Sequence, residues 1–131
     1  MSRGFFVVIA LVIVGFIGLT VFNKNDSKPK APALTFATVQ KDVAAGGKLY
    51  DVRTPQEYAA GHFAGAVNLP VQDIANGKLP DAAKTAKLYV YCQTGSRSSQ
   101  AAGLLKNAGY TAVTDLGGLA RVESMGAKLT R

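Results

Sequence analysis

The stretch KLYVYCQTGSRSSQ (87–100) decides how the rest of the chain is read. Its opening five residues, KLYVY, carry the aromatic and apolar side chains of a buried strand. A small polar loop with one glycine follows, and then a run that reads as a helix over 98–108, stopped by Gly109. Cys92, the only cysteine of the chain, falls where the strand ends and the loop begins. Strand, tight loop and helix in this order make the basic unit of an α/β sheet, and ligands of such sheets bind at the carboxyl ends of the strands.

Working outward, the same alternation repeats. Residues 38–45 read as a short helix ended by Gly46-Gly47, and KLYDV (48–52) as a short buried strand. Thr54-Pro55-Gln56-Glu57 is a helix start: a threonine cap, a proline at the first helical position and a glutamate that closes a capping box. Gly61 stops that helix. AVNL (66–69) is a second strand, 70–76 a helix closed by Gly77, TAVTD (111–115) a further strand and 119–125 a last short helix. The expected fold is α/β, a parallel sheet with helices on both faces. On the helix after the cysteine loop, Ala101, Leu104, Leu105 and Ala108 form the expected inward face.

Before this domain lies FFVVIALVIVGFIGLTVF (5–22), eighteen residues without a charge. As a helix it spans about 27 Å, close to the hydrocarbon thickness of a bilayer. It is apolar on every face and longer than the apolar region of a cleaved signal, so it reads as a transmembrane helix or signal anchor. A cleaved export signal is the competing reading, with Ala31-Pro32-Ala33 resembling a processing site placed too far downstream. The chain divides into a basic start (1–4), the apolar segment (5–22), a polar linker (23–33) and one domain (34–131). Lys24, Lys28 and Lys30 by themselves pull the domain toward the cytoplasm, whereas a short basic start before an apolar segment exports the chain beyond it. The exported side is the reading adopted. The net charge of +7 owes much to the residues flanking the apolar segment, and the remaining lysines are scattered, which excludes a nucleic-acid partner. One cysteine forms no intramolecular disulfide and leaves the redox compartment open.

The loop after Cys92 has the makings of an anion cradle. Backbone N–H groups of a tight loop turn inward as a nest. The following helix contributes its positive end, and Arg97 adds a planar multi-donor charge. Gly95 removes a side chain where the loop must curl. All of these favour the thiolate, the nucleophilic form of cysteine. A small buried core cysteine is the plain alternative, but the residues after Cys92 are polar, small and basic.

Three motifs carry a resemblance: DVRTPQEYAAGHFAGAVNLP (51–70), YCQTGSRSSQAAGLLKNAGY (91–110) and TDLGGL (114–119). In order and spacing the chain resembles a single-domain rhodanese, a sulfurtransferase family. The resemblance implies a covalent persulfide on Cys92 with no other cofactor. It implies a cradle made by Gln93, Thr94, Gly95, Ser96 and Arg97, a small anionic sulfur donor such as thiosulfate, and a thiol, cyanide or protein acceptor. Four residues separate Cys92 from Arg97. Cysteine phosphatases of the cell-cycle rhodanese-like kind have five, so phosphatase or arsenate reductase chemistry is disfavoured. A carrier or docking module without turnover is the remaining alternative. Asp51, Arg53, Glu57, His62 and Ser98 are expected as support. Asp51 accepts hydrogen bonds from the loop or Arg53, Arg53 pairs with Glu57, His62 packs and hydrogen-bonds, and Ser98 caps the helix or touches substrate. No metal is expected, since His62 has no cysteine or histidine cluster near it. The family's tryptophan after the Gly117-Gly118 pair is missing; Val122 lies near its place, which implies a less aromatic pocket wall.

Overall fold

In the computed structural model, residues 30–131 are described. The basic start, the apolar segment and most of the linker therefore lie outside the described residues. Within these residues no helix is long and apolar enough to cross a membrane. Pro32–Arg131 forms one compact unit.

The chain order is α1 (Phe36–Ala44), β1 (Lys48–Asp51), α2 (Pro55–Ala60), β2 (His62–Phe63), β3 (Ala66–Asn68) and α3 (Val71–Ala75), then β4 (Leu88–Tyr91), α4 (Ser96–Asn107), β5 (Val113–Gly117), α5 (Leu119–Ser124) and β6 (Leu129–Thr130). Four strands form a parallel sheet in the order β3-β1-β4-β5. The expected α/β architecture is present, with three adjustments. Helix α1 begins two residues earlier than expected because Thr35 caps it, accepting a hydrogen bond from the Thr38 N–H at 3.2 Å. Helix α4 likewise begins at Ser96, not at residue 98, with Gly95 as its N-cap. A second, antiparallel pair, β2 with β6, was not legible at two residues per strand.

Strand side chains alternate between two cores. Tyr50, Val52, Leu88, Val90 and Cys92 face Val71 and Ile74 of α3 and Ala101, Ala102 and Leu105 of α4. Leu49, Tyr89, Tyr91 and Leu116 face Phe36 and Val39 of α1 and Val122 of α5. That period of two is the reason helices cover both faces. Of the expected inward face of α4, Ala101 and Leu105 are fully buried, while Leu104 and Ala108 are only partly so. Val122 is a core residue with no exposure, so it forms no pocket wall. Tyr91 ties the small sheet to the large one: its hydroxyl accepts the Phe63 N–H at 3.1 Å.

The strand order places the site. The chain goes from β1 to β3 on one side, then crosses to β4 on the other side of β1. The carboxyl ends of β1 and β4 therefore flank a topological switch point, the favoured ligand position in open sheets. Asp51 ends one strand and Cys92 follows the other.

Candidate active site

Cys92 continues the inward face of β4 beyond the last paired residue and is completely buried. Its N–H donates to the Gly117 carbonyl at 3.0 Å, which fixes the start of the loop against β5. Gly95 then takes φ +105°, a conformation reserved in practice for glycine. The reversal turns the Gly95 N–H back onto the Cys92 Sγ at 2.9 Å. Ser98, also fully buried, places its Oγ 3.5 Å from the same sulfur. Burial pushes the Cys92 thiol up, but hydrogen bonds from the Ser98 hydroxyl and from the N–H groups of Ser98, Gly95 and Thr94 outweigh it. The thiol is held below its ordinary value, and the thiolate is the reactive form.

The loop backbone is pinned from outside by the turn between β5 and α5. Leu119 N–H donates to the Gln93 carbonyl at 3.1 Å. Gly118 packs so closely that a Cβ there would lie 2.8 Å from the Gln93 carbonyl oxygen and 2.9 Å from Thr94 Cα. Asp115 holds this turn, its Oδ1 accepting the Gly117 N–H at 2.8 Å. The TDLGGL motif thus acts as a buttress, a role its sequence did not disclose.

The charged residues pair differently from expectation. Arg53 does not pair with Glu57. It donates through Nη2 to Asp51 Oδ2 at 2.6 Å and through Nε to both Asp51 oxygens. It also donates to the Gly61 carbonyl at 2.6 Å, and both Asp51 and Arg53 are buried. Two residues apart on the end of β1, they meet before Glu57, which faces away on α2. Asp51 therefore reaches the cysteine loop only indirectly, through Arg53 Nη1 donating to Gln93 Oε1 at 3.3 Å. Glu57 instead receives Arg97, with two N–H···O bonds of 2.7 and 2.8 Å. The hydrogen bonds from Arg97, helped by Thr54 and opposed by partial burial, hold the Glu57 carboxyl down at about 2. Two N–H donors of Arg97 are thus taken up by Glu57, and the pair clamps α4 to α2. The Thr54–Glu57 capping box forms as expected.

His62 also behaves as expected of a packing residue. Its ring stacks on Tyr58 at 3.8 Å, and its Nδ1 lies 3.0 Å from the Tyr58 carbonyl. Gln93, Thr94 and Ser96 are exposed. Two grooves border the loop. One of about 650 Å³ is lined by Gln93, Thr94, Gly95, Asp115, Gly117, Gly118, Ala120 and Arg121. A smaller one of about 190 Å³ is lined by Val52, Thr54, Val71, Gln72, Arg97 and neighbours.

A thiol held in a main-chain N–H cradle, at the switch point of a parallel sheet, defines a cysteine-loop α/β domain built for attack by sulfur. Residues 35–124 match the Rhodanese-like domain, and the chain belongs to that family. Thiosulfate sulfurtransferase PspE of Escherichia coli is 40% identical over 72 residues, covering 53% of this chain and 67% of the relative. Thiosulfate sulfurtransferase 16 of Arabidopsis thaliana is 37% identical over 101 residues, covering 68% and 84%. The solved human single-domain sulfurtransferase TSTD1 superposes with a TM-score of 0.57 at 28% identity, covering 72% of this chain and 96% of that one. By kinship the protein is a thiosulfate sulfurtransferase-like enzyme.

Proposed function

We propose that the protein transfers a sulfane sulfur from thiosulfate or a similar donor to a thiophilic acceptor through a persulfide on Cys92. The observation that carries this reading is the Gly95 N–H on the fully buried Cys92 Sγ at 2.9 Å. Main-chain donors aimed at sulfur stabilise negative charge there without reorganising. In the first half-reaction the Cys92 thiolate attacks the outer sulfur of thiosulfate. The new bond joins Sγ to that sulfur, the S–S bond of the donor breaks, and sulfite leaves with its electron pair. In the second, a thiolate or cyanide attacks the outer sulfur, and Cys92 departs as thiolate. No further cofactor enters the balance. Intact mass after incubation with thiosulfate tests the reading. Wild type gains one sulfur and Cys92→Ser gains none; equal gain by the variant refutes it.

The segment 5–22 supports anchoring of the domain to a membrane by its length and lack of charge, and the short basic start before it supports the exported side. A reporter fused after Arg131 that is active only in the exported compartment is the expected result; activity only in the cytoplasm overturns the orientation.

A further inference from the structure

Five lysines far apart in the sequence, Lys41, Lys48, Lys84, Lys87 and Lys106, meet at one end of the fold, and all are exposed. Lys48 opens β1 and Lys87 immediately precedes β4; the Lys48 N–H donates to the Lys87 carbonyl at 2.9 Å. Lys41 lies in the last turn of α1, which Gly46-Gly47 joins to β1, and Lys106 in the last turn of α4. At that end of α4, Lys84 Nζ donates to the Ala108 carbonyl and lies 3.9 Å above the Tyr110 ring. The strands are parallel, so this is the amino end of the sheet, opposite Cys92. Helix C-termini account for Lys41, Lys84 and Lys106 one by one, whereas Lys48 and Lys87 stand at strand starts. Lys87 pairs with Asp42 at 3.2 Å, and the other four make no ion pair among the described residues. Asp42 is further engaged by the Tyr89 hydroxyl. At the sulfur end, by contrast, Arg53 and Arg97 are neutralised by Asp51 and Glu57. No aromatic ring is exposed among the described residues.

We infer that this basic end of the domain rests on an anionic lipid surface, with Cys92 facing away from it. Lysine ammoniums on flexible stems suit a diffuse layer of negative headgroups, and each one near such a surface raises its occupancy about five-fold. The lack of exposed rings leaves nothing to stack on nucleobases, which sets lipid ahead of nucleic acid. The inference rests on the anchoring reading above, since a tethered domain meets the headgroups at high effective concentration and a few charges then suffice. Leu34 enters the domain beside Thr114 and Met125, away from the lysines. Helix α4 runs from the cysteine loop to the basic end, and its 12 residues cover about 18 Å. The linker over 23–33 reaches up to about 36 Å when extended, enough to pass that length.

The test separates the two readings. Full-length protein is placed in nanodiscs of phosphatidylcholine, or of equal parts phosphatidylcholine and phosphatidylglycerol. Its lysines are acetylated with limiting reagent, and the rate at each is read by peptide mass. On the anionic disc Lys41, Lys48, Lys84, Lys87 and Lys106 label at least about five-fold more slowly than on the neutral one. About 1 M salt removes the difference. Lys128, beside β6, labels alike on both discs. A smaller slowing, or one shared by Lys128, overturns the inference. The combined variant Lys41→Gln, Lys48→Gln, Lys106→Gln loses the protection of Lys84 and Lys87; protection at the wild-type level overturns it equally. Slowing of the same lysines by added RNA, without slowing by phosphatidylglycerol, assigns the basic end to nucleic acid and overturns the lipid assignment. Failure of the full chain to enter the phosphatidylcholine disc defeats the anchoring reading and the inference with it; entry without protection on the anionic disc defeats only the inference.

Discussion

Replacing Gly118 by alanine adds one methyl group against the back of the cysteine loop. The backbone there is extended, at φ −85° and ψ 172°, so alanine adopts it without strain. All of the penalty is steric. The new Cβ meets the Gln93 carbonyl oxygen at 2.8 Å and the Thr94 carbon atoms at 2.9 Å. These are backbone atoms and cannot rotate away. Relief to ordinary contact requires the loop to retreat by roughly 0.6 Å. Overpacking of this kind costs about 1–3 kcal/mol, a fall in Tm of at least about 4 °C for a domain of this size. The retreat also moves the Gly95 N–H relative to Sγ, and a displacement of this size slows persulfide formation about ten-fold or more. Stopped-flow loading with thiosulfate and a thermal melt read the two effects. Gly103→Ala is the control. It lies inside α4 with nothing within 4 Å of its would-be Cβ, so it stabilises by about 0.5–1 kcal/mol. If Gly118→Ala loads sulfur at the wild-type rate with an unchanged melt, the buttress argument is wrong.

Three further outcomes are expected. Glu57→Gln destabilises by about 1 kcal/mol near neutral pH, after discounting for the one-third exposure of the pair. Because the folded carboxyl sits at about 2, below its ordinary 4.5, the difference from wild type is full above that ordinary value and vanishes as pH falls toward 2; melts across this window check it. Arg53→Ala strands the buried Asp51 carboxylate and costs about 3–5 kcal/mol in urea unfolding, whereas a loss below 1 kcal/mol shows the pair to be unimportant. The pH profile of Cys92 alkylation has its midpoint below that of an ordinary thiol, and Ser98→Ala moves it upward; an unmoved midpoint removes Ser98 from the cradle.

Much of this was legible before any coordinates. Strand KLYVY, the Thr54–Glu57 cap and the glycine stops each rest on local chemistry, and each element formed near its expected place. The strand read over 111–115 is displaced to Val113–Gly117 because pairing with β4, not propensity, sets its ends. Strands of two residues, such as β2 and β6, carry no period to read. Side-chain partners were the weakest expectation. Arg53 had carboxylates on both sides in sequence, and only the fold shows Asp51 buried beside it and Glu57 turned toward Arg97.

The cradle divides its atoms in a way that bears on how such a site is altered. Apart from Ser98, the donors that reach the sulfur belong to the main chain. The side chains of Thr94 and Ser96 are exposed, and neither makes a hydrogen bond among the described residues. Any residue but proline at position 94 still presents its amide to Sγ, and Ser96 contributes no donor there. A library varied there therefore searches partners and substrates while the nucleophile stays constant. Gly95 is the fixed hinge of that library, since its positive φ admits no ready replacement.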